Sequence, residues 1–259
     1  HNKKLNIFLF VAIIIMGVNM TIKVKNLDIN YIQYGKGKDI VLLHGWGQNI
    51  EMMDPIGKRL EKNHRITIID LPGHGQSSTP ESAITIYDYA DIVKEVLKEL
   101  EIDKPSIVGH SFGGRVAIVY ASRYETEKLV LLGAPCIRRP QKDSAKVKIL
   151  KALKKVPILK NFESFAKKHI GSRDYRNASP VMREILVKTV NEDLSECAKK
   201  IKCPTLLIWG ENDTEAPIED ARELEKIMKD AALITYENGT HYTYLEYLLP
   251  VTRVIDKFI

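Results

Sequence analysis

Apolar positions change their spacing in a repeating order along the chain, and that order predicts the elements. Ile22-Lys23-Val24 and Ile29-Asn30-Tyr31-Ile32-Gln33-Tyr34 alternate as half-buried antiparallel strands do, and the second closes on Gly35-Lys36-Gly37. Ile40-Val41-Leu42-Leu43 is an unbroken apolar run, as expected of a strand covered on both faces. Residues 55–60 read as a helix and 65–70 as the next buried strand. From Thr85 to Leu100, apolar residues at 86, 89, 90, 93, 96, 97 and 100 recur with helical period, and Asp88 and Asp91 suit the positive end of that helix. Residues 106–108 and 128–132 are further strands. After Ala134-Pro135 the rhythm breaks. Residues 137–200 hold no convincing buried strand, but Val147, Leu150 and Leu153, then Phe162, Phe165 and Ile170, and the stretch 181–190 read as helical. The alternation resumes with a strand over 203–209, a helix over 216–228 with Pro217 near its first turn, a last strand over 233–236, and a loop, 237–241, entering a final helix.

Strands alternating with helices predict an α/β fold: a mostly parallel, eight-stranded sheet with helices on both faces. Residues 21–136 and 203–259 form its core. Residues 137–202 are a helical cap inserted over the carboxyl edge of the sheet, where they would shape a pocket. Residues 1–20 stand apart, with Lys3-Lys4 before a nearly all-apolar stretch, Leu5 to Val18, and no further charge until Lys23. They fit a signal-peptide core, a short membrane anchor, or an extension upstream of a start at Met20.

Charge sharpens this division. The net charge of +6 conceals 18 Lys and Arg against 7 Asp and Glu in residues 137–202, while the remainder carries 21 against 26. The basic segment lacks interleaved aromatics or a nucleic-acid-binding module, which argues against nucleic acid as a partner. It reads as a solvated helical surface, with an anionic substrate or peripheral contact with an anionic membrane as the alternatives. Three cysteines, Cys136, Cys197 and Cys203, are too few and too irregular for a disulfide framework or a zinc site, so reduced thiols and no metal are expected. The setting expected is cytoplasmic, with membrane association through the N-terminal apolar stretch.

The candidate chemistry lies at Ile107-Val108-Gly109-His110-Ser111-Phe112-Gly113-Gly114-Arg115. A short β-branched run passes through Gly-x-Ser-x-Gly into helical spacing, which is a strand, a sharp turn and a helix. A β-carbon at Gly109 or Gly113 would collide with the neighbouring strand or helix, and the turn would hold Ser111 in a strained backbone conformation at the helix N-terminus. Ser111 is therefore a candidate nucleophile, and the free Phe112 N–H a donor to developing negative charge. A second donor opposite it is expected from His44-Gly45-Trp46-Gly47, at the Trp46 N–H.

A serine nucleophile needs a base, and seven histidines compete. His1 is terminal, His64 is placed on a polar helix exit and His169 falls in the cap. His44, His74 and His110 sit in glycine turns, where structural roles are expected. His241 alone follows a late strand, in a loop that could bring it onto Ser111. The carboxylate that would orient it is Asp213, after the strand over 203–209, with Glu211 as a rival.

The stretches 43–47, 70–77, 109–114, 209–213 and 239–241 together resemble α/β-hydrolase-fold proteins over residues 21–259. The resemblance implies Ser111 as nucleophile, Asp213 as orienting acid, His241 as base, Trp46 and Phe112 as oxyanion donors, and no cofactor. The expected activity is that of a carboxylesterase on small-molecule esters with small or medium acyl groups, with Trp46 and Arg115 contacting substrate. Gly113-Gly114-Arg115 also resembles the elbow of the small lyase that eliminates pyruvate in menaquinone synthesis. A carbon–carbon bond hydrolase or lactonase, on the same three residues, is a further alternative. For Arg115 the plainer reading is a salt bridge on the helix surface or toward the cap.

Overall fold

The structure, a computed structural model, describes residues 18–138 and 178–259. Eight strands form one sheet: β1 (Met20–Val24), β2 (Leu27–Gly35), β3 (Lys38–Leu43), β4 (His64–Ile69), β5 (Ser106–His110), β6 (Leu129–Leu132), β7 (Thr205–Gly210) and β8 (Ala231–Tyr236). Their spatial order is β1-β2-β4-β3-β5-β6-β7-β8. The β1/β2 and β2/β4 pairs are antiparallel and every later pair is parallel. The expected mostly parallel eight-stranded sheet is therefore present.

The parallel strands are apolar throughout because each feeds two cores. Val41, Leu43, Ile107, Leu129, Leu131, Leu207 and Trp209 point to one face. Ile40, Leu42, Val108, Val130, Leu132, Leu206 and Ile208 point to the other. The second face is covered by α1 (Ile50–Leu60) and the C-terminal α8 (Leu248–Phe258), through Met53, Ile56, Leu60, Val251 and Ile255. The first is covered by α2 (Ile86–Glu99), α3 (Phe112–Arg123), α4 (Pro180–Val190), α5 (Ser195–Lys200) and α6 (Ile218–Ile227). The short α7 (Thr243–Glu246) leads into α8.

Several local expectations are revised. The helix expected from Pro55 begins at Ile50, because Asn49 caps it by accepting from the Glu51 N–H, and Pro55 lies inside it. β2 is buried where alternation suggested a wet face: Asn30 is enclosed, its Nδ2 donating to Asp70 Oδ2 at 2.8 Å and its N–H to Ser77 Oγ at 2.9 Å. Asp88 closes a capping box with Thr85, whereas Asp91 accepts from Arg123 at 2.8 Å and from the Tyr124 hydroxyl at 2.7 Å, tying α2 to the end of α3. His64 is not on a helix exit. It opens β4, nearly buried, with Nε2 3.0 Å from Asp256 Oδ1.

Of the segment expected as a cap, residues 139–177 lie outside the described residues, with the apolar positions 147–170 and His169 among them; so do residues 1–17. The described remainder joins the core: Met182, Ile185, Leu194, Ala198 and Ile201 are all buried in the cluster that contains Val116 and Val119 of α3. No helix among the described residues is long and apolar enough to cross a membrane.

Candidate active site

β5 ends on His110 and α3 begins at Phe112, which leaves one residue, Ser111, to make the turn at φ 49° and ψ −112°. Few L-residues adopt such a conformation, and it persists because its surroundings over-determine it. Ser111 N–H donates to Leu132 O at 3.0 Å, and Ser111 O accepts the first helical bond from Arg115 N–H at 3.1 Å. The glycines are required by contact. A β-carbon at Gly109 would lie 2.6 Å from Gly113 O, and one at Gly113 would lie 2.3 Å from Leu43 O at the end of β3. As the first helical residue, Phe112 has an N–H with no intrahelical acceptor.

On the other side of Ser111, Gly45 to Gln48 form a turn. Gln48 N–H donates to Gly45 O at 3.2 Å, Gln48 Oε1 accepts from Gly45 N–H at 2.9 Å, and Gly47 supplies the positive φ of 68°. This leaves the Trp46 N–H outside the turn's own bond. The Trp46 ring meets His74 and Phe112 edge-on, with centroids 4.8 and 5.1 Å apart.

β7 and β8 bring in the remaining pair. Gly210 and Gly239 approach so closely that a β-carbon at Gly210 would sit 2.2 Å from Gly239 O, and Asn212 N–H donates to Gly239 O at 2.9 Å. The two loops are thereby locked together. Asp213 Oδ1 accepts from the N–H groups of Glu215 and Ala216 at 2.9 and 2.8 Å, while Oδ2 accepts from His241 Nδ1 at 2.8 Å. One carboxylate thus serves as both turn cap and histidine partner. The rival Glu211 faces elsewhere, accepting from the Thr235 hydroxyl at 2.9 Å. Gly133, at φ 52°, lies against this pair: a β-carbon there would stand 3.1 Å from Asp213 Oδ2 and 3.2 Å from His241 Nδ1.

Ser111, Trp46 and His241 border one cavity of about 890 Å³, which opens at the carboxyl ends of the parallel strands. Ser111 Oγ makes no hydrogen bond to a described residue, so hydroxyl and imidazole share this cavity without being joined. With its Nδ1–H held by Asp213, His241 carries its lone pair on Nε2, which can take a proton from a hydroxyl brought against it. Nε2 also has a neighbour that sequence reading missed: Glu215 Oε2, 3.6 Å away on a side chain 62% exposed. The N-cap of α4, Ser179, and Met182 in its first turn also line the cavity, the latter packed so tightly on Gly73 that a β-carbon there would lie 2.4 Å from Met182 Sδ.

The turn histidines have structural partners. His44 donates through Nδ1 to Gly45 O at 2.7 Å and accepts at Nε2 from Leu71 N–H at 3.0 Å; burial, with the charge of His74 adding, pushes it down to about 3. His74 lies 3.0 Å from Pro72 O and is also lowered, chiefly by burial. His110, which turns away from Ser111 to contact Gln48 Oε1 and the backbone oxygen of His241, is pushed down to about 3 by burial and by His241.

Arg115 is not a substrate contact. Only 4% exposed, its guanidinium donates to Pro135 O and Thr189 O at 2.7 Å each and to Glu192 O at 2.5 Å. One helical turn beyond Ser111, it reaches the carbonyl end of α4, where the helix dipole favours a cation. Among the described residues it makes no salt bridge, and its bonds go to backbone carbonyls. Among the described residues no three His, Cys, Asp or Glu side chains group as a metal-ligand set.

Residues 39–150 match a family model described as alpha/beta hydrolase fold, and residues 179–259 match one described as TAP-like protein. The AB hydrolase superfamily protein YisY of Bacillus subtilis is 29% identical over 86% of this chain and 92% of that protein. A pimeloyl-[acyl-carrier protein] methyl ester esterase of Nitrosospira multiformis is 29% identical over 87% of this chain and 93% of its own. The solved esterase from Exiguobacterium antarcticum superposes with a TM-score of 0.74 at 22% identity, covering 93% of this chain and 99% of that one.

Proposed function

The chain belongs to the α/β-hydrolase fold, and from that premise we propose that this hydrolase is a serine esterase acting on small-molecule esters with small or medium acyl groups. The observation that carries the reading is His241, joined to the buried Asp213 at 2.8 Å and bordering the same cavity as a serine held at φ 49°. His241 Nε2 takes the Ser111 proton as Oγ attacks the ester carbonyl, and the Trp46 and Phe112 N–H groups receive the charge on its oxygen. The proton then passes to the departing alkoxide, leaving an acyl-Ser111. Water, deprotonated by His241, releases the acid and restores the serine. Asp213 holds the ring in the tautomer this needs. Relatives named as methyl ester esterases support the choice of an ester bond.

Wild-type protein should hydrolyse p-nitrophenyl butyrate and be labelled at Ser111 by a fluorophosphonate. Ser111→Ala should lower turnover by about 1,000-fold or more. Full activity in that variant, or folded wild type that resists the probe, would overturn the reading, the latter in favour of a binding protein. The lyase alternative drew on Gly113-Gly114-Arg115, and the arginine's part of that support goes with its engagement by backbone carbonyls.

A further inference from the structure

We infer that Glu215 makes this cavity select esters by the charge of the alcohol they release, favouring cationic or hydroxyl-bearing alcohols and disfavouring carboxylate- or phosphate-bearing ones. The inference rests on the serine esterase reading and adds a substrate class to it. In that reaction the leaving oxygen must come within hydrogen-bond reach of His241 Nε2 to collect its proton. The same nitrogen lies 3.6 Å from Glu215 Oε2. The alcohol's substituent therefore departs alongside the carboxylate, whereas the acyl group stays covalently on Ser111.

Glu215 is well placed to exert this preference. Its backbone N–H is pinned by Asp213 Oδ1 at 2.9 Å, so the base of the side chain is fixed relative to His241. Among the described residues that line the cavity there is no lysine, no arginine and no second acidic side chain; Gln48, Thr79, Ser179 and Tyr242 supply neutral polar groups. A carboxylate only accepts hydrogen bonds, so it rewards ammonium or hydroxyl donors and repels a second anion. The lysines and arginines of residues 139–177 lie outside the described residues, and the effect assigned to Glu215 is the difference its own charge makes.

The test compares three butyrate esters on the full chain by titrating the acid released: butyrylcholine, its uncharged isostere 3,3-dimethylbutyl butyrate, and 3-(butyryloxy)propanoate. In Glu215→Gln the kcat/KM ratio of the cationic to the anionic ester should fall about 5- to 30-fold at low ionic strength, with the neutral ester between. Added salt should move the wild-type ratio toward that of the variant. Placing the charge on the acyl side, with methyl butyrate against monomethyl succinate, should give a smaller shift. A cationic-to-anionic ratio unchanged within about twofold in Glu215→Gln would overturn this inference alone. Failure of wild type to hydrolyse any of the esters would overturn the esterase reading and take this inference with it.

Discussion

His110 Nε2 lies 3.0 Å from the backbone carbonyl oxygen of His241, so the residue preceding the strained serine holds the loop that carries the facing imidazole. Its other nitrogen meets Gln48 Oε1 at 3.2 Å, and that oxygen already accepts from Gly45 N–H. A neutral imidazole has one N–H, and the shorter contact assigns it to Nε2. His110 is therefore a positioning residue that holds the His241 loop through its Nε2–H, while Nδ1, an acceptor in this tautomer, packs against the Gln48 amide without a bond to it. His110→Phe should lower kcat on p-nitrophenyl butyrate by about 10- to 100-fold with KM little altered. His110→Gln, which restores a donor, should recover part of it. Unchanged kcat in folded His110→Phe would remove this role.

Arg115 should matter for stability and not for substrate charge. Arg115→Met strands three carbonyls in a dry site, and we expect a loss of about 3 kcal/mol, read as a lower urea midpoint. The preference between anionic and neutral esters should not move. A changed preference with intact stability would return Arg115 to the pocket.

Ser111 holds strain that glycine would relieve, since φ 49° with ψ −112° is accessible to a residue without a β-carbon. Ser111→Gly should raise stability by about 1 kcal/mol over Ser111→Ala while both lack esterase activity. Equal melting temperatures for the two variants would show that the turn stores no strain.

Acid should destabilise the fold through its buried neutral rings. His44 and His110 are both pushed down to about 3 by burial, from an ordinary value of 6.5. Above pH 6.5 folded and unfolded chains alike hold these rings neutral, and stability is full. Below it the unfolded chain binds protons that the native one refuses, so stability falls by about 1.4 kcal/mol per pH unit for each ring until pH approaches 3. Urea midpoints measured from pH 7 to 5 should fall, and His44→Asn should flatten the slope. The same slope in that variant would rule His44 out as a source.

The features legible without the fold are those whose causes are local. Two glycines flanking Ser111 announce an elbow, because the collisions they avoid arise within a strand, its neighbour and the helix that follows. Unbroken apolar runs such as Ile40–Leu43 announce strands buried on both sides, and Thr85 with Asp88 announces a helix start. The order of Ser111, Asp213 and His241 along the chain marks three strand ends that a parallel sheet carries to one rim. What only the tertiary structure decided are partners distant in sequence: Arg115 with the end of α4, His110 with the loop of His241, and Glu215 facing Nε2. Spacing along the chain says which face of an element a residue occupies. Which distant carbonyl or ring lies opposite depends on how the elements pack, and that packing turned a presumed substrate arginine into a helix clamp and an unremarked glutamate into a neighbour of His241 Nε2.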